Sequence, residues 1–314
     1  MAAGLLAACT GGLQPPAVTP ARAAVFAGAS SARDRSWMAP GAKNLDLLYV
    51  SDYMSNDVDA YSYPQGKLSG VLRGVLRQFV LPVGLCADAS GNIFIPDNSN
   101  STVLEYPHGS TRIEKTLGDP GELPYSCAVD PVTGNLGVVD FESVGGPGGV
   151  SIYARARGLP QNYTYGFKYK YYFDAYDDRG NLFVDATDDV PSGPFAFLEL
   201  SRGGRAFVPI TLEKSIRTPG GVGWDGKHVA VGNSRASVIY EFDLKGGVGT
   251  MAGATRLGRG RAVSQFLIAG RYVIGANFAG ASVMAWRYPA GGAPARKIGG
   301  LGQPFGVALS KAVR

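Results

Sequence analysis

Short polar side chains that could bind a metal ion or transfer a proton recur once in each of six units of about 45 residues. Each of them closes a short apolar segment. Carboxylate and amide oxygens can hold divalent cations, and carboxyls can act as acids and bases. A catalytic centre needs groups in different roles, whereas one similar residue per unit is typical of a recurring turn that caps its own backbone. We therefore interpret the set as a structural ring around one mouth: Asp52, Asp97, Asp140, Asp185, Asn233 and Asn277.

Three acidic residues share one short stretch, Asp185, Asp188 and Asp189. Their oxygens could bind Ca²⁺ or another divalent metal, but the spacing lacks the full ligand set of a calcium loop. The pattern favours a solvated loop, and we expect no cofactor.

Basic residues are concentrated at the end of the chain, because residues 251–314 contain nine lysines and arginines and no acidic residue. Arg259 and Arg261 fall in a connection that should reach the mouth. Guanidinium groups there could bind carboxylate or phosphate on an anionic partner such as an acidic polysaccharide or lipid headgroups. The alternatives are that they pair with mouth aspartates such as Asp52, or that the charge serves solubility.

Histidine chemistry is restricted, since the chain has only two histidines. His108 and His228 both lie in turns that should open on the face opposite the mouth. An alternating aromatic run is the other conspicuous segment, and it could stack sugars or, as we favour, pack the third unit against the fourth. Its members are Tyr163, Tyr165, Phe167, Tyr169, Tyr171 and Phe173.

The elements that must position these residues are short strands. Tight-turn glycines recur at Gly91, Gly134, Gly180, Gly226 and Gly270, each between two apolar segments. Forty-five glycines and twenty prolines, beside many β-branched and aromatic residues, indicate an all-β chain. A period near 45 residues is typical of propeller blades with four strands each.

The units are circularly shifted along the chain. The first begins at its second strand, NLDLLYVSD, which ends at Asp52, and the chain finishes with PFGVALS, residues 304–310. This last segment is similar to the innermost strand PVGLCAD, residues 82–88. The sequence predicts a six-bladed β-propeller over residues 44–314, closed by the C-terminal strand joining the first blade.

The segment from Pro82 to Asp97, PVGLCADASGNIFIPD, resembles an NHL-type propeller repeat. The chain also looks like uncharacterised bacterial exported propellers, and distantly like gluconolactonase-like hydrolases and streptogramin lyases. The lyase chemistry implies a mouth histidine, and the hydrolase chemistry implies a metal on Glu, Asn and Asp. The two histidines are expected on the opposite face, which disfavours the lyase chemistry. The inner strand of the first blade, Phe305 to Ser310, carries no carboxylate, so the hydrolase motif is not matched.

The N-terminus contains Leu6-Ala7-Ala8-Cys9, which resembles the lipobox of bacterial lipoproteins, with Cys9 as the lipidated residue. Residues 1–9 are too short for a complete signal, which has a basic start and an apolar stretch of about 7 to 15 residues. Residues 10–43, rich in Pro, Ala, Ser and Gly, are expected to form a flexible tether. Both features predict an extracytoplasmic protein of the cell envelope, secreted or held to a membrane only by a lipid anchor.

Cys86 and Cys127 fall on neighbouring inner strands, which diverge in a propeller. A disulfide needs Cα atoms within about 7 Å, so we expect two buried free thiols.

With no matched catalytic motif, we expect a monomeric, non-enzymatic module that binds a protein, glycan or small-molecule ligand, which could be anionic, and no nucleic acid. The alternative is a divalent-metal-dependent hydrolase or lyase that uses the propeller mouth.

Overall fold

A computed structural model describes residues 35–73, 83–98, 100–166, 169–188 and 193–313. They form six sheets arranged as a six-bladed β-propeller, which confirms the predicted fold. Cys9, residues 1–9 and most of the predicted tether lie outside the described residues. Among the described residues, no helix has the length and apolar character needed to cross a membrane.

Blade 1 takes strands from both ends of the described chain, whereas blades 2 and 3 each consist of consecutive strands. From the axis outwards, blade 1 consists of Pro304–Ser310, Leu47–Asp52, Asp57–Ser62, Leu68–Leu72 and Trp37–Met38. Blade 2 consists of Cys86–Ala87, Ile93–Asp97, Thr102–Tyr106 and Lys115–Gly118. Blade 3 consists of Glu122–Val129, Leu136–Ser143, Gly146–Tyr153 and Gln161–Tyr163.

Blades 4 to 6 follow in chain order. Blade 4 consists of Tyr169–Tyr176, Leu182–Asp188, Phe195–Leu200 and Val208–Pro209. Blade 5 consists of Pro219–Trp224, Val229–Asn233, Val238–Lys245, Val248–Arg256 and the short parallel strand Thr211–Leu212. Blade 6 consists of Val263–Ala269, Tyr272–Asn277, Ser282–Arg287 and Gly291–Gly299. Short 3-10 turns occupy Ala42–Asn44, Ala154–Ala156 and Phe278–Gly280.

The glycine turns lie where the period predicts them, between the first and second strands of a blade. All five recurrent glycines have positive φ, for example +84° at Gly91 and +94° at Gly226. An L-residue with a side chain adopts this conformation with difficulty, so the turn explains the repeated glycine. The tight turn pairs the inner strand directly with the second strand.

The hydrophobic core is divided among the six gaps between neighbouring blades. Each gap holds one cluster of buried side chains from the two sheets that face each other. Between blades 1 and 2, for example, Leu47 and Tyr49 pack against Leu85 and Ile93. Burial of these β-branched and aromatic residues holds the ring together.

The C-terminal strand closes the ring as predicted. Pro304–Ser310 pairs antiparallel with Leu47–Asp52, from Leu47 opposite Ser310 to Asp52 opposite Pro304. At the other edge of blade 1, Trp37–Met38 pairs with Leu68–Leu72. The sheet therefore includes residues 37 and 38, which the sequence analysis assigned to the tether.

Candidate functional site

The predicted ring of aspartates and asparagines lies at one mouth of the axial channel, at or near the end of the second strand of each blade; in blades 3 and 4 that strand continues to Ser143 and Asp188. All six side chains are buried, with exposed fractions from 0% at Asp185 to 8% at Asn233. Asp52 accepts hydrogen bonds from the backbone of Gly302, at 2.5 Å, and Gln303, at 2.8 Å. It thereby fixes the connection that enters the last inner strand.

Other members of the ring also accept hydrogen bonds from backbone N–H groups near the mouth. Asn277 accepts from the backbone N–H of Arg261 at 2.5 Å, and Asp185 accepts from that of Phe173 at 2.8 Å. Asp97 instead accepts from the side-chain amide of Asn100 at 2.9 Å. These contacts are the kind that a turn- and loop-capping role requires.

Asp140 differs from the rest of the ring because it shares a buried site with a second carboxyl. The hydroxyl of Ser151 lies 2.9 Å from Asp140 and 2.7 Å from Asp119, and both carboxyls are at most 1% exposed. Burial raises the pKa of both groups, that of Asp140 strongly, and their mutual interaction adds to it for Asp140. The pair therefore binds a proton more readily than two exposed aspartates would.

The structure describes two of the three acidic residues in the stretch weighed as a calcium site. Asp185 is a buried member of the ring, Asp188 is half-buried at the end of its strand, and Asp189 lies outside the described residues. Within the described ranges, no group of three or more His, Cys, Asp or Glu side chains is arranged to hold a metal ion.

Buried carboxyls near the axis predict how stability depends on pH. Burial raises the pKa of Asp174 and of Asp185 to about 8, and the charge on Asp174 adds to the effect on Asp185. An unfolded aspartate titrates near pH 4, so between about pH 4 and pH 8 the folded state binds more protons. Stability is therefore expected to fall as pH rises, by up to about 1.4 kcal/mol per pH unit for each carboxyl.

Urea unfolding at several pH values between 5 and 8 tests this dependence. Asp185→Asn keeps an oxygen for the Phe173 N–H and cannot ionise, so its stability should fall less steeply with pH than that of the wild type. Asp178→Asn, at an exposed carboxyl, is the control and should keep the wild-type slope. Identical slopes for Asp185→Asn and wild type would contradict the assignment.

Aromatic side chains cover the axis at the mouth. Phe305 of blade 1 contacts Tyr125 of blade 3 at 5.4 Å between ring centroids, Phe173 of blade 4 at 6.1 Å and Phe278 of blade 6 at 5.9 Å. Blades 1 and 4 are opposite each other in a ring of six, so these contacts cross the channel. We call the whole set the aromatic platform: Tyr53, Tyr125, Phe141, Tyr172, Phe173, Phe278 and Phe305.

The platform is built from two positions of the repeat. Tyr53, Phe141 and Phe278 directly follow the ring residues of blades 1, 3 and 6. The other rings stand on inner strands, close to where those strands begin. Apart from Phe173, which is buried, every member is a half-buried residue.

A cation borders the platform on the side of blade 4. The Lys170 ammonium lies 5.0 Å from the centroid of Phe141 and pairs with Glu142. Cation–π contact at this distance favours the observed position of the lysine.

Arg261 lies beside the ring, because its N–H donates to Asn277, and Arg259 stands two residues earlier in the same connection; both are exposed. They do not pair with Asp52, whose carboxylate accepts backbone N–H groups instead. The backbone of Arg261 bonds to Asn277 and Ala279, which places the residue beside Phe278 of the aromatic platform. No ion pair involves either arginine in the part of the chain that the structure describes.

The face of the propeller opposite the mouth opens into a cavity, which we call the lower vestibule. It has a volume of about 770 Å³ and is lined by the inner strands of all six blades. Small residues widen it, among them Ala128, Ala175, Gly223 and Ala308. The aromatic platform separates this space from the mouth.

Both histidines have structural partners in turns between strands. His108 Nδ1 bonds to the hydroxyl of Ser310 and so ties blade 2 to the closing strand. His228 Nδ1 lies 3.1 Å from Asp225, which also accepts from the Tyr288 hydroxyl at 2.8 Å. The turn of His108 follows the third strand of blade 2 and that of His228 follows the inner strand of blade 5, and both turns lie away from the mouth.

The prediction of free thiols was wrong, because Cys86 and Cys127 form a disulfide with Cα atoms 5.5 Å apart. The inner strands of blades 2 and 3 converge here because Gly84 lacks a side chain. Its N–H donates to the carbonyl of Tyr125 at 2.7 Å, and a Cβ at this position would lie 2.9 Å from Ser126 Oγ.

The alternating aromatic run divides between two blades. Tyr163 ends the outer strand of blade 3, whereas Tyr171 and Phe173 belong to the inner strand of blade 4, and Phe167 lies outside the described residues. Tyr163 and Tyr171 both contact Phe207 in the core between these blades. Among the described members of the run, only Phe173 joins the aromatic platform.

Comparison with known proteins identifies the fold. No family model matches the chain, and no curated protein matches it in sequence. A chain of a nidogen/laminin complex superposes with a TM-score of 0.68 at 10% identity, covering 86% of this chain and 100% of that chain.

Two further solved structures are similar. Regucalcin from Agrobacterium tumefaciens, described as a calcium-binding protein, gives a TM-score of 0.57 at 12% identity over 74% of this chain and 79% of that one. A luciferin-regenerating enzyme gives 0.56 at 12% identity over 74% and 81%. The similarity therefore establishes the propeller fold, which serves binding proteins and enzymes alike.

Proposed function

We propose that this propeller is a non-enzymatic, extracytoplasmic binding module that holds a sugar-containing ligand on the aromatic platform at its mouth. The observation that carries the proposal is the platform itself, in which rings from blades 1, 3, 4 and 6 meet across the axis. Rings that served only to fill the channel would be fully buried. Six of the seven residues are half-buried at the point where the loops of the propeller converge.

A pyranose fits this surface chemically. The C–H groups on one face of the sugar pack against the electron-rich face of an aromatic ring, while its hydroxyls remain hydrogen-bonded to water or to rim residues. Polar groups at the edge of the platform, such as Lys170 and Glu142, can orient the hydroxyls. The platform therefore combines an apolar floor with a polar rim.

The disulfide supports the extracytoplasmic part of the proposal. Disulfides such as Cys86–Cys127 persist in oxidising compartments and are rare in the bacterial cytosol. The lipobox-like Leu6–Cys9 segment points to the same compartment. A chain of the nidogen/laminin complex provides a precedent for a propeller in a binding complex.

A glycan array that holds neutral and acidic oligosaccharides tests the proposal. The double variant Phe141→Ala/Tyr172→Ala should weaken binding by at least about tenfold, because two stacked rings are removed. Tyr172→Phe keeps the ring and should bind nearly as the wild type does. Tyr272→Ala removes a half-buried ring that lies at the start of a second strand, away from the mouth, and is the matched control.

Thermal melting of each variant must show that the fold is retained. The proposal is overturned when the wild type binds no glycan, or when the double variant binds as tightly as the wild type.

A further inference from the structure

We propose that the ligand is acidic, and that a basic arc on the mouth recognises the carboxylate or sulfate groups of an anionic polysaccharide. This inference rests on the proposed function, because the arc borders the aromatic platform. The basic arc consists of Arg217, Arg235, Arg259 and Arg261, all of them exposed.

The arc is one continuous rim, although its residues come from three loops. The N–H of Ser234 donates to the carbonyl of Thr218 at 3.2 Å, which joins the loop of Arg217 to that of Arg235. The N–H of Leu257 donates to the carbonyl of Ser237 at 2.9 Å, which joins the loop of Arg235 to that of Arg259 and Arg261.

The rim leads directly to the platform. The carbonyl of Arg261 accepts from the N–H of Ala279 at 3.1 Å, and its N–H donates to Asn277. These two partners flank Phe278, whose ring contacts Phe305. A ligand seated on the aromatic platform therefore meets the end of the basic arc.

One acidic residue lies within these loops, against four arginines and Lys214. The loops are residues 213–218, 234–237 and 257–262, and the acidic residue is Glu213, whose carboxylate accepts from the N–H of Met251 at 2.8 Å. Within the described residues, none of the four arginines takes part in an ion pair. Their guanidinium groups are thus available for a ligand, and their charge is undiminished by a local partner.

Arg259 occupies a backbone conformation that suits glycine better. Its φ is +63°, between Gly258 and Gly260. A non-glycine residue in this region costs energy, and such residues are concentrated at functional sites. An arginine side chain in this glycine-rich turn is projected outward from the rim.

The chemistry of the arc selects the ligand class. A guanidinium group donates two parallel hydrogen bonds to a carboxylate or a sulfate, which a neutral sugar cannot accept in the same way. The neighbouring aromatic platform packs against the faces of sugar rings. A uronic-acid or sulfated polysaccharide carries such rings and the anionic groups in the same repeat unit. Carboxylate and sulfate are the two possible anionic groups.

The inference is tested by titration calorimetry with polygalacturonate, heparin and neutral dextran. The wild type should bind polygalacturonate, heparin or both, should bind dextran at least tenfold more weakly, and should lose affinity in 0.5 M NaCl. Arg259→Ala/Arg261→Ala should weaken the anionic binding at least tenfold. The charge-matched control Arg271→Ala/Arg287→Ala removes two exposed arginines outside the arc and should change it less than twofold.

The outcomes separate this inference from the proposed function. In one outcome, Phe141→Ala/Tyr172→Ala loses binding while neither salt nor Arg259→Ala/Arg261→Ala has an effect. The platform is then the binding site, and recognition of an anionic ligand by the basic arc is overturned. The reverse pattern supports the arc and overturns the platform. Equal effects of the two arginine pairs, or binding of phosphatidylglycerol vesicles but of neither anionic polysaccharide, overturn the anionic-polysaccharide inference. Melting curves verify that each variant is folded.

Discussion

Deletion of residues 301–314 is expected to abolish cooperative folding of the propeller and to cause aggregation. The deletion removes the inner strand of blade 1, which pairs with Leu47–Asp52 along its whole length. It also removes Val307 and Ala308, which are 2% and 3% exposed. The truncated chain would present an unpaired edge and open the ring between blades 6 and 2.

The closing strand is held from both neighbouring blades, which is why the effect should be large. The Ser310 hydroxyl donates to the carbonyl of Gly91 in blade 2. The side chain of Gln265 in blade 6 accepts from the N–H of Val307 at 2.9 Å and bonds to both backbone groups of Leu85 at 2.9 Å. One buried amide thus joins blades 6, 1 and 2.

Differential scanning calorimetry and size-exclusion chromatography measure the result. Deletion of residues 313–314 alone is the matched control, because it retains the strand and the bond from the Ala312 N–H to Asp46. A synthetic peptide of residues 301–314 should restore a monomeric, cooperatively melting protein when it is added to the truncated chain. A truncated protein that stays monomeric with an unchanged melting temperature would contradict the closure.

The sequence predicts the fold because each blade repeats the same local requirement. The turn between the first and second strands needs a residue with positive φ, and glycine meets this need at Gly91, Gly134 and Gly180. The recurrence of that one residue displays the period, and the period determines the number of blades. The closing strand is recognisable for the same reason, since PFGVALS keeps the pattern of an inner strand.

The ring of aspartates and asparagines is visible in the sequence, but the aromatic platform is not. Tyr53, Phe141 and Phe278 share one repeat position in only three of the six blades, so the period shows no aromatic signal there. Phe305 and Tyr125 are far apart along the chain and meet only because the ring closes. Alignment of the residue that follows each ring aspartate or asparagine would have revealed three members of the platform.

The disulfide could not be predicted because the usual divergence of neighbouring inner strands does not hold at Gly84. Inner strands diverge on average, yet Gly84 lets the strands of blades 2 and 3 approach until the N–H of Gly84 bonds to Tyr125. Glycine at the same strand position in blades 1 and 5, Gly306 and Gly221, permits similar close approach without cysteines nearby. The Cys86–Cys127 disulfide therefore depends on the local contact at Gly84, which cannot be inferred from the usual spacing of inner strands.

Replacement of both cysteines, Cys86→Ala/Cys127→Ala, is expected to lower the free energy of unfolding by about 4 kcal/mol, because the bond joins residues 41 apart in sequence and restricts the unfolded chain. Cys127 is 2% exposed, so a reductant reaches the bond slowly in the native state and the variant is the more direct test. Urea unfolding of the oxidised wild type and of the variant measures the difference.

The control is the same comparison after both proteins have been unfolded and refolded with a reductant. The wild type should then lose most of its advantage, whereas the variant, which has no bond to lose, should keep its midpoint. Alanine also removes a small amount of buried sulfur, and this packing loss is the difference that remains between the two proteins under reducing conditions. Equal midpoints for the oxidised wild type and the variant would show that the bond does not form, and the support it gives to an oxidising compartment would be withdrawn.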